Sequence, residues 1–176
     1  MALARWRNLW DLSDALTLEL GASAAEGNNS LSRTTRLAGG DLTAKWRPSA
    51  GGKYHSGLFA VEYIDRALEQ STSTIEHGSG VSIWTQYQFA ERWVARARYE
   101  SLKVFGADSI VNTNALENDL TTKWTGAVQF DATEFSFFRL EYQTLHGPRQ
   151  TNGLTNENKI YLQANFTIGA HPAHSY

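Results

Sequence analysis

Apolar residues recur at every second position through most of the chain. Leu16, Leu18 and Leu20 alternate with Thr17 and Glu19, and Leu42, Ala44 and Trp46 alternate with Asp41, Thr43, Lys45 and Arg47. Phe59, Val61 and Tyr63 follow, blurred by Leu58, Ala60 and Ile64. Val81, Ile83, Tyr87 and Phe89 oppose Ser82, Trp84, Gln86 and Gln88, and Trp93, Ala95, Ala97 and Tyr99 oppose Arg96, Arg98 and Glu100. Trp124, Val128 and Phe130 face away from Lys123, Thr125 and Gln129; Phe138, Leu140 and Tyr142 face away from Arg139, Glu141 and Gln143. The series closes with Ile160, Leu162, Ala164, Phe166 and Ile168, and a weaker segment over Arg5–Leu12 opens it. Side chains of a strand point alternately to its two faces. The pattern therefore predicts about nine strands of roughly 8–11 residues, the length a tilted strand needs to cross a bilayer.

The two faces differ sharply. Within these segments the apolar parity carries no Lys, Arg, Asp or Glu, while the other parity carries both signs of charge. Lipid would enforce that separation, since a charge at the midplane of a lipid face costs about 2–4 kcal/mol. A soluble core would enforce it too. The connections add a rhythm of short ones (Asp11–Ala15, Pro48–Lys53, Ala90–Arg92, Asp131–Ser136) and long polar ones (Ala25–Thr35, Arg66–Ser79, Leu102–Asp119, His146–Asn158). Short periplasmic turns alternating with longer external loops are the habit of outer-membrane barrels. Aromatic residues mark both ends of the apolar stripe. Trp10, Trp46, Phe59, Phe89, Trp93, Phe130 and Phe138 lie beside short turns; Trp6, Tyr63, Tyr99, Trp124 and Tyr142 lie toward the long loops. Two such girdles are expected where amphipathic rings settle at the membrane–water interfaces.

Composition then narrows the reading. The chain has 176 residues and a formal net charge of −2, with no basic footprint for nucleic acid. It contains no cysteine. Mean hydropathy is −0.41, which does not count against a barrel whose strands alternate and average out as hydrophilic. The expected architecture is all-β: an antiparallel up-and-down transmembrane barrel of about 8–9 strands, forming one domain over residues 1–176. No secretory leader precedes the first strand-like segment. An odd strand count whose first strand starts outside points the same way, to the C-terminal part of a larger barrel; if the weak first segment is not a strand, eight remain, the smallest closable barrel, its interior filled by side chains.

Three stretches carry a resemblance: "ARWRNLWDLSDALTLELGASAAEGNN", "TRLAGGDLTAKWRP" and "LQANFTIGAHPAHSY". They resemble the C-terminal region of a porin-like outer-membrane family whose members are often labelled zinc-regulated, TonB-dependent receptors. The resemblance covers most of the chain. It implies an outer-membrane location in a Gram-negative bacterium, transport of a small solute or ion, and an upstream half. No plug domain or energy-coupling box is visible, so a plain porin-like barrel fits better.

Candidate chemistry concentrates on the charged face. Glu19, Asp41, Lys45, Arg47 and Glu62 from the first half, and Arg96, Arg98, Glu100, Lys123, Arg139 and Glu141 from the second, would line a lumen. In a wide barrel they would set solute preference; in a narrow one they would pair into a filled interior. His171 and His174 are the metal candidates, but Pro172 separates them and no carboxylate is near in sequence; a solvated tail is the expected reading. Phe166, Ile168 and Tyr176 resemble the C-terminal signal that barrel-assembly machinery reads, although His171–Ser175 interrupts the alternation. No residue spacing marks a nucleophile, a base or a phosphate cradle, so neither an enzyme nor a cofactor is expected. The competing architecture is a soluble β-barrel or sandwich that encloses its aromatics and binds a small apolar ligand.

Overall fold

Alternation of this kind lets each strand satisfy its backbone only through neighbours, and that is how the chain is arranged. A computed structural model describes residues 1–50, 54–71, 74–105, 120–147 and 156–168. Nine strands follow one another: β1 (Ala2–Ser13), β2 (Leu16–Asn28), β3 (Thr34–Trp46), β4 (Ser56–Ser71), β5 (Thr74–Ala90), β6 (Trp93–Phe105), β7 (Leu120–Thr133), β8 (Ser136–His146) and β9 (Asn156–Phe166). They form one sheet in the order β1 to β9, every strand antiparallel to its chain neighbours. The described residues contain no helix. The sheet is open, for β1 pairs only with β2 and β9 only with β8.

Tight turns join the strands at one end. β1–β2, β5–β6 and β7–β8 are linked by residues 14–15, 91–92 and 134–135. Beside each of these turns the register slips, at Asp11/Ser13, Gln88/Ala90 and Asp131/Thr133. A bulge there adds the extra twist a two-residue reversal needs. The expected rhythm of connections changes in two places. β3 and β4 are joined through residues 47–55, the longest link on the short-turn side. The long loop expected over Arg66–Ser79 is mostly strand, because β4 and β5 run on to Ser71 and Thr74 and leave only residues 72–73 between them. Arg66, Gly78 and Glu76 there are too polar to read as a strand from hydropathy, yet the ladder carries them. At the same end, Asn29 organises the β2–β3 turn. Its side-chain oxygen accepts from the Leu31 and Arg33 amides, and its amide nitrogen donates to the Glu69 carbonyl at 2.8 Å.

Nothing packs over either face among the described residues. Contacts between strands run essentially between ladder neighbours, and among the described residues no side chain is completely buried. What burial exists is one-sided. Gly21, Ala60, Gly78, Val94, Ala127 and Gln129 are buried, and the register puts all six on the charged parity. Side chains crowd on the inside of a curved sheet and splay on its outside. The charged face is therefore the concave one, and the apolar face is the convex one.

Candidate functional site

The convex face presents the aromatics. Trp46, Phe59, Phe89, Trp93 and Phe138 are each about two-fifths exposed, and Leu162 is 81% exposed. Phe89 stacks on Trp93 with ring centres 6.4 Å apart, Trp93 meets Phe130 at 4.9 Å, and Phe138 meets Phe166 edge-on at 6.0 Å. Phe130 and Phe138 are ladder partners, so the rings make one stripe along the short-turn end of β5–β9. At the other end Tyr99 packs against Trp124 at 4.6 Å.

Trp10 and Phe59, Trp6 and Tyr63, Tyr99 and Trp124, and Trp93, Phe130 and Phe138 each share one ladder line, but over the whole sheet the stripes depart from the ladder. From Phe59 the line of cross-strand partners runs through Thr85, Ala97, Gly126 and Tyr142 to Ile160. One line thus joins a ring of the short-turn stripe (Phe59) to a ring of the opposite stripe (Tyr142). In β9 the short-turn stripe has reached Phe166, six residues from Ile160 after five strand steps from Phe59, or eight from Trp10 on the same line. At the other end, the line from Trp6 passes through Tyr63 and reaches His146, while the stripe itself sits at Tyr142, four residues away over seven strand steps. Both stripes therefore slip in the same direction across the sheet, by six residues over eight strand steps at the short-turn end and by four over seven at the other, and the slip comes in jumps between runs of direct ladder partners such as Trp93, Phe130 and Phe138. With about 3.3 Å per residue and 4.8 Å between strands, a slip of that size inclines the strands by about 20–30° to the normal of the plane the stripes define. Closed barrels tilt their strands by about 35–45°, somewhat more than this. On this face the first charges beyond the long-loop stripe are Asp65 in β4, Glu26 and Arg36 in β2 and β3, which pair at 2.8 Å, and Lys103 in β6. Within a strand the stripes stand four to six residues apart, as Phe59 and Tyr63 or Trp93 and Tyr99 do, roughly 12–18 Å along such a normal; the ten residues from Trp93 to Lys103 span roughly 30 Å, so the ~25 Å apolar band of an outer-membrane barrel would reach past the second stripe toward these charges.

The concave face holds the charges. Glu19, Asp41, Lys45, Glu62, Arg96, Arg98, Glu100, Lys123, Arg139 and Glu141 all share this parity by register. Arg47 lies just past β3, where its backbone NH donates to the Ala15 carbonyl at 2.8 Å. On β1–β5 the arginines meet carboxylates: Arg7 with Glu19 at 3.0 Å, Arg5 with Asp41 at 3.1 Å, and Arg66 with Glu76. Arg5 reaches over β2 to do so, and Gly21 makes the room. On β6–β8 the pattern changes. Arg98 and Lys123 share Glu100, each at 3.4 Å. Arg96 donates from Nε to the Gln86 side-chain oxygen at 2.9 Å, and Arg139 donates to Gln129 at 2.6 and 3.0 Å and to Gln163 at 3.4 Å. Arg139 also lies 5.0 Å over the Phe137 ring.

The parity of the lumen candidates was readable from the chain alone; their partners were not. Gln86 and Gln129 lie on the polar parity that the alternation already gave them, whereas Arg5 and Arg7 join the charged face through the register. For Arg5 and Arg7 the available signal was their alternation with Trp6. Phe166 and Ile168 are exposed at the end of β9. His171, His174 and Tyr176 lie outside the described residues. Among the described residues no group of three or more His, Asp or Glu side chains is placed to hold a metal.

One curated relative is similar, an uncharacterized protein of Aquifex aeolicus (strain VF5), 26% identical over an alignment of 152 residues that covers 81% of this chain. The chain spans 31% of that relative's length. No family profile and no solved structure matches the chain.

Proposed function

We propose that this chain is a wall of a porin-like β-barrel in a Gram-negative outer membrane, its apolar face against acyl chains and its charged face lining a route for a small solute or ion. The observation that carries the reading is the common slip of the two aromatic stripes. Two interfaces of one bilayer are parallel planes, so they must cut a tilted sheet at the same angle. A soluble sandwich has no reason to lay its aromatics on two parallel lines oblique to its own ladder. The bare convex face supports the same reading, because an apolar surface of this extent needs a cover, and lipid is one that requires no second layer of protein. Both edges of the sheet would have to be paired in a membrane, since unpaired backbone is not tolerated in hydrocarbon. Barrel-assembly machinery is the partner that such a chain requires. Transport of the receptor type is not part of the proposal.

The test is insertion. Chain unfolded in urea and diluted into phospholipid vesicles should gain β-sheet circular dichroism and float with the lipid. A folded monomer in plain buffer that ignores vesicles and detergent would refute the proposal and favour a soluble domain.

A further inference from the structure

The concave wall is not electrically uniform. On β1–β5 each of Arg5, Arg7 and Arg66 touches a carboxylate. On β6–β8 a hollow of about 450 Å³ is lined by Arg96, Arg98, Lys123 and Arg139, with Glu141 as its one acidic lining residue. Arg98 and Lys123 divide a single carboxylate, that of Glu100. Arg96 and Arg139 have no carboxylate within ion-pair distance among the described residues; glutamine oxygens hold them instead. A neutral acceptor fixes a guanidinium's direction without pairing its charge, and Asp131 and Glu141 act on Arg96 only from beyond ion-pair distance. Gln129 serves both sides, since its amide nitrogen donates to Asp131 at 2.5 Å while its oxygen receives Arg139. Between the two arginines lies Ala127, the ladder partner of Arg96, whose methyl group leaves the space above β7 open.

We propose that Arg96 and Arg139, braced by Gln86 and Gln129 on either side of Ala127, form a binding site for a small oxyanion, a carboxylate or a phosphate, on the concave wall. Guanidinium forks suit planar or tetrahedral oxyanions, donating two parallel bonds where an ammonium offers a point charge. Lys123 and Arg98, half-neutralised by Glu100, extend the positive field toward the long-loop end. Glu141, whose carboxylate accepts from Gln143 at 2.5 Å, bounds the site on the β8 side and sets a limit to its affinity. Service of this site as a stage in a pore rests on the barrel reading; the capture of an oxyanion does not.

The experiment follows the arginine side-chain Nε–H resonances of the full chain, folded in detergent, during titration with inorganic phosphate and, separately, with succinate. Arg96 and Arg139 should move together and saturate with one dissociation constant, while Arg5 and Arg7 stay in place. The better of the two anions tells which oxyanion the site prefers. Removing one guanidinium in R96Q or R139Q should weaken binding by about tenfold or more, the scale of one charge-assisted hydrogen bond. E141Q should tighten it. R7Q, on the neutralised wall, should leave it unchanged and controls for folding. Shifts that fail to saturate with either anion, or that persist in the R96Q/R139Q double variant with its spectrum otherwise intact, overturn the site. Vesicle flotation is scored in parallel. Flotation without saturable binding removes the site and keeps the barrel; saturable binding without flotation does the reverse.

Discussion

Arg5 donates to Asp41 at 3.1 Å although β1 and β3 are not neighbours, and Gly21 on the strand between them is what lets the two meet. A Cβ at position 21 would stand 2.5 Å from both carboxylate oxygens of Asp41. Gly21→Ala should therefore displace Asp41 and break the bridge, with a loss of about 1–3 kcal/mol, the usual cost of overpacking. Asp41→Asn removes only the charge of a partly exposed pair and should cost about 0.2–1 kcal/mol. Urea unfolding in detergent, read by circular dichroism, compares them; an equal loss in both would mean that the glycine is not there to make room.

Leu140 and Gln143 sit on opposite faces of β8, and Leu140 lies between the stripe residues Phe138 and Tyr142. Leu140→Arg would put a cation near the middle of the apolar band and should lower folding stability in vesicles by about 2–4 kcal/mol. Gln143→Arg adds the same side chain to the concave face and should stay within about 0.5 kcal/mol, as surface changes do. The comparison is made by vesicle-bound fraction across a urea series. Equal penalties would deny the two faces different surroundings.

Trp93 touches Phe89 and Phe130 and stands next to the turn at residues 91–92. Trp93→Ala should cost about 1–3 kcal/mol through two lost aromatic contacts of about 0.5–1.5 kcal/mol each. Trp93→Phe should recover most of that. Thermal unfolding in detergent reads both, and a neutral Trp93→Ala would remove the stripe from the energetics.

Fold class and face assignment were legible because a period of two survives any register. Leu18, Trp46, Phe89 and Leu162 declare their face from their own neighbours in the chain. Contacts across strands were not legible, since Arg96 meets Gln86 and Arg139 meets Gln129 only once the ladder is set. Turn length was partly legible. The clusters at 14–15 and 134–135 are as short as expected, whereas β4 and β5 continue through the polar run expected to be a loop, because backbone pairing is indifferent to whether a side chain is apolar. The oblique course of the aromatic stripes needed the register as well: the chain shows which rings are apolar-facing, but only paired strands show that Phe59 and Tyr142 share one line.

The chain offers a direct probe of its own orientation. Trp84 is on the concave parity, while Trp6, Trp10, Trp46, Trp93 and Trp124 are on the convex one. Two variants, one keeping only Trp93 and one keeping only Trp84, with phenylalanine at the other five positions, would be folded into vesicles of brominated phospholipid. The account expects Trp93 to be quenched, most strongly by bromines near the headgroups, and Trp84 to fluoresce as it does in unbrominated lipid. Quenching of Trp84 with Trp93 untouched, or no quenching of either in vesicles that have bound the chain, would contradict it.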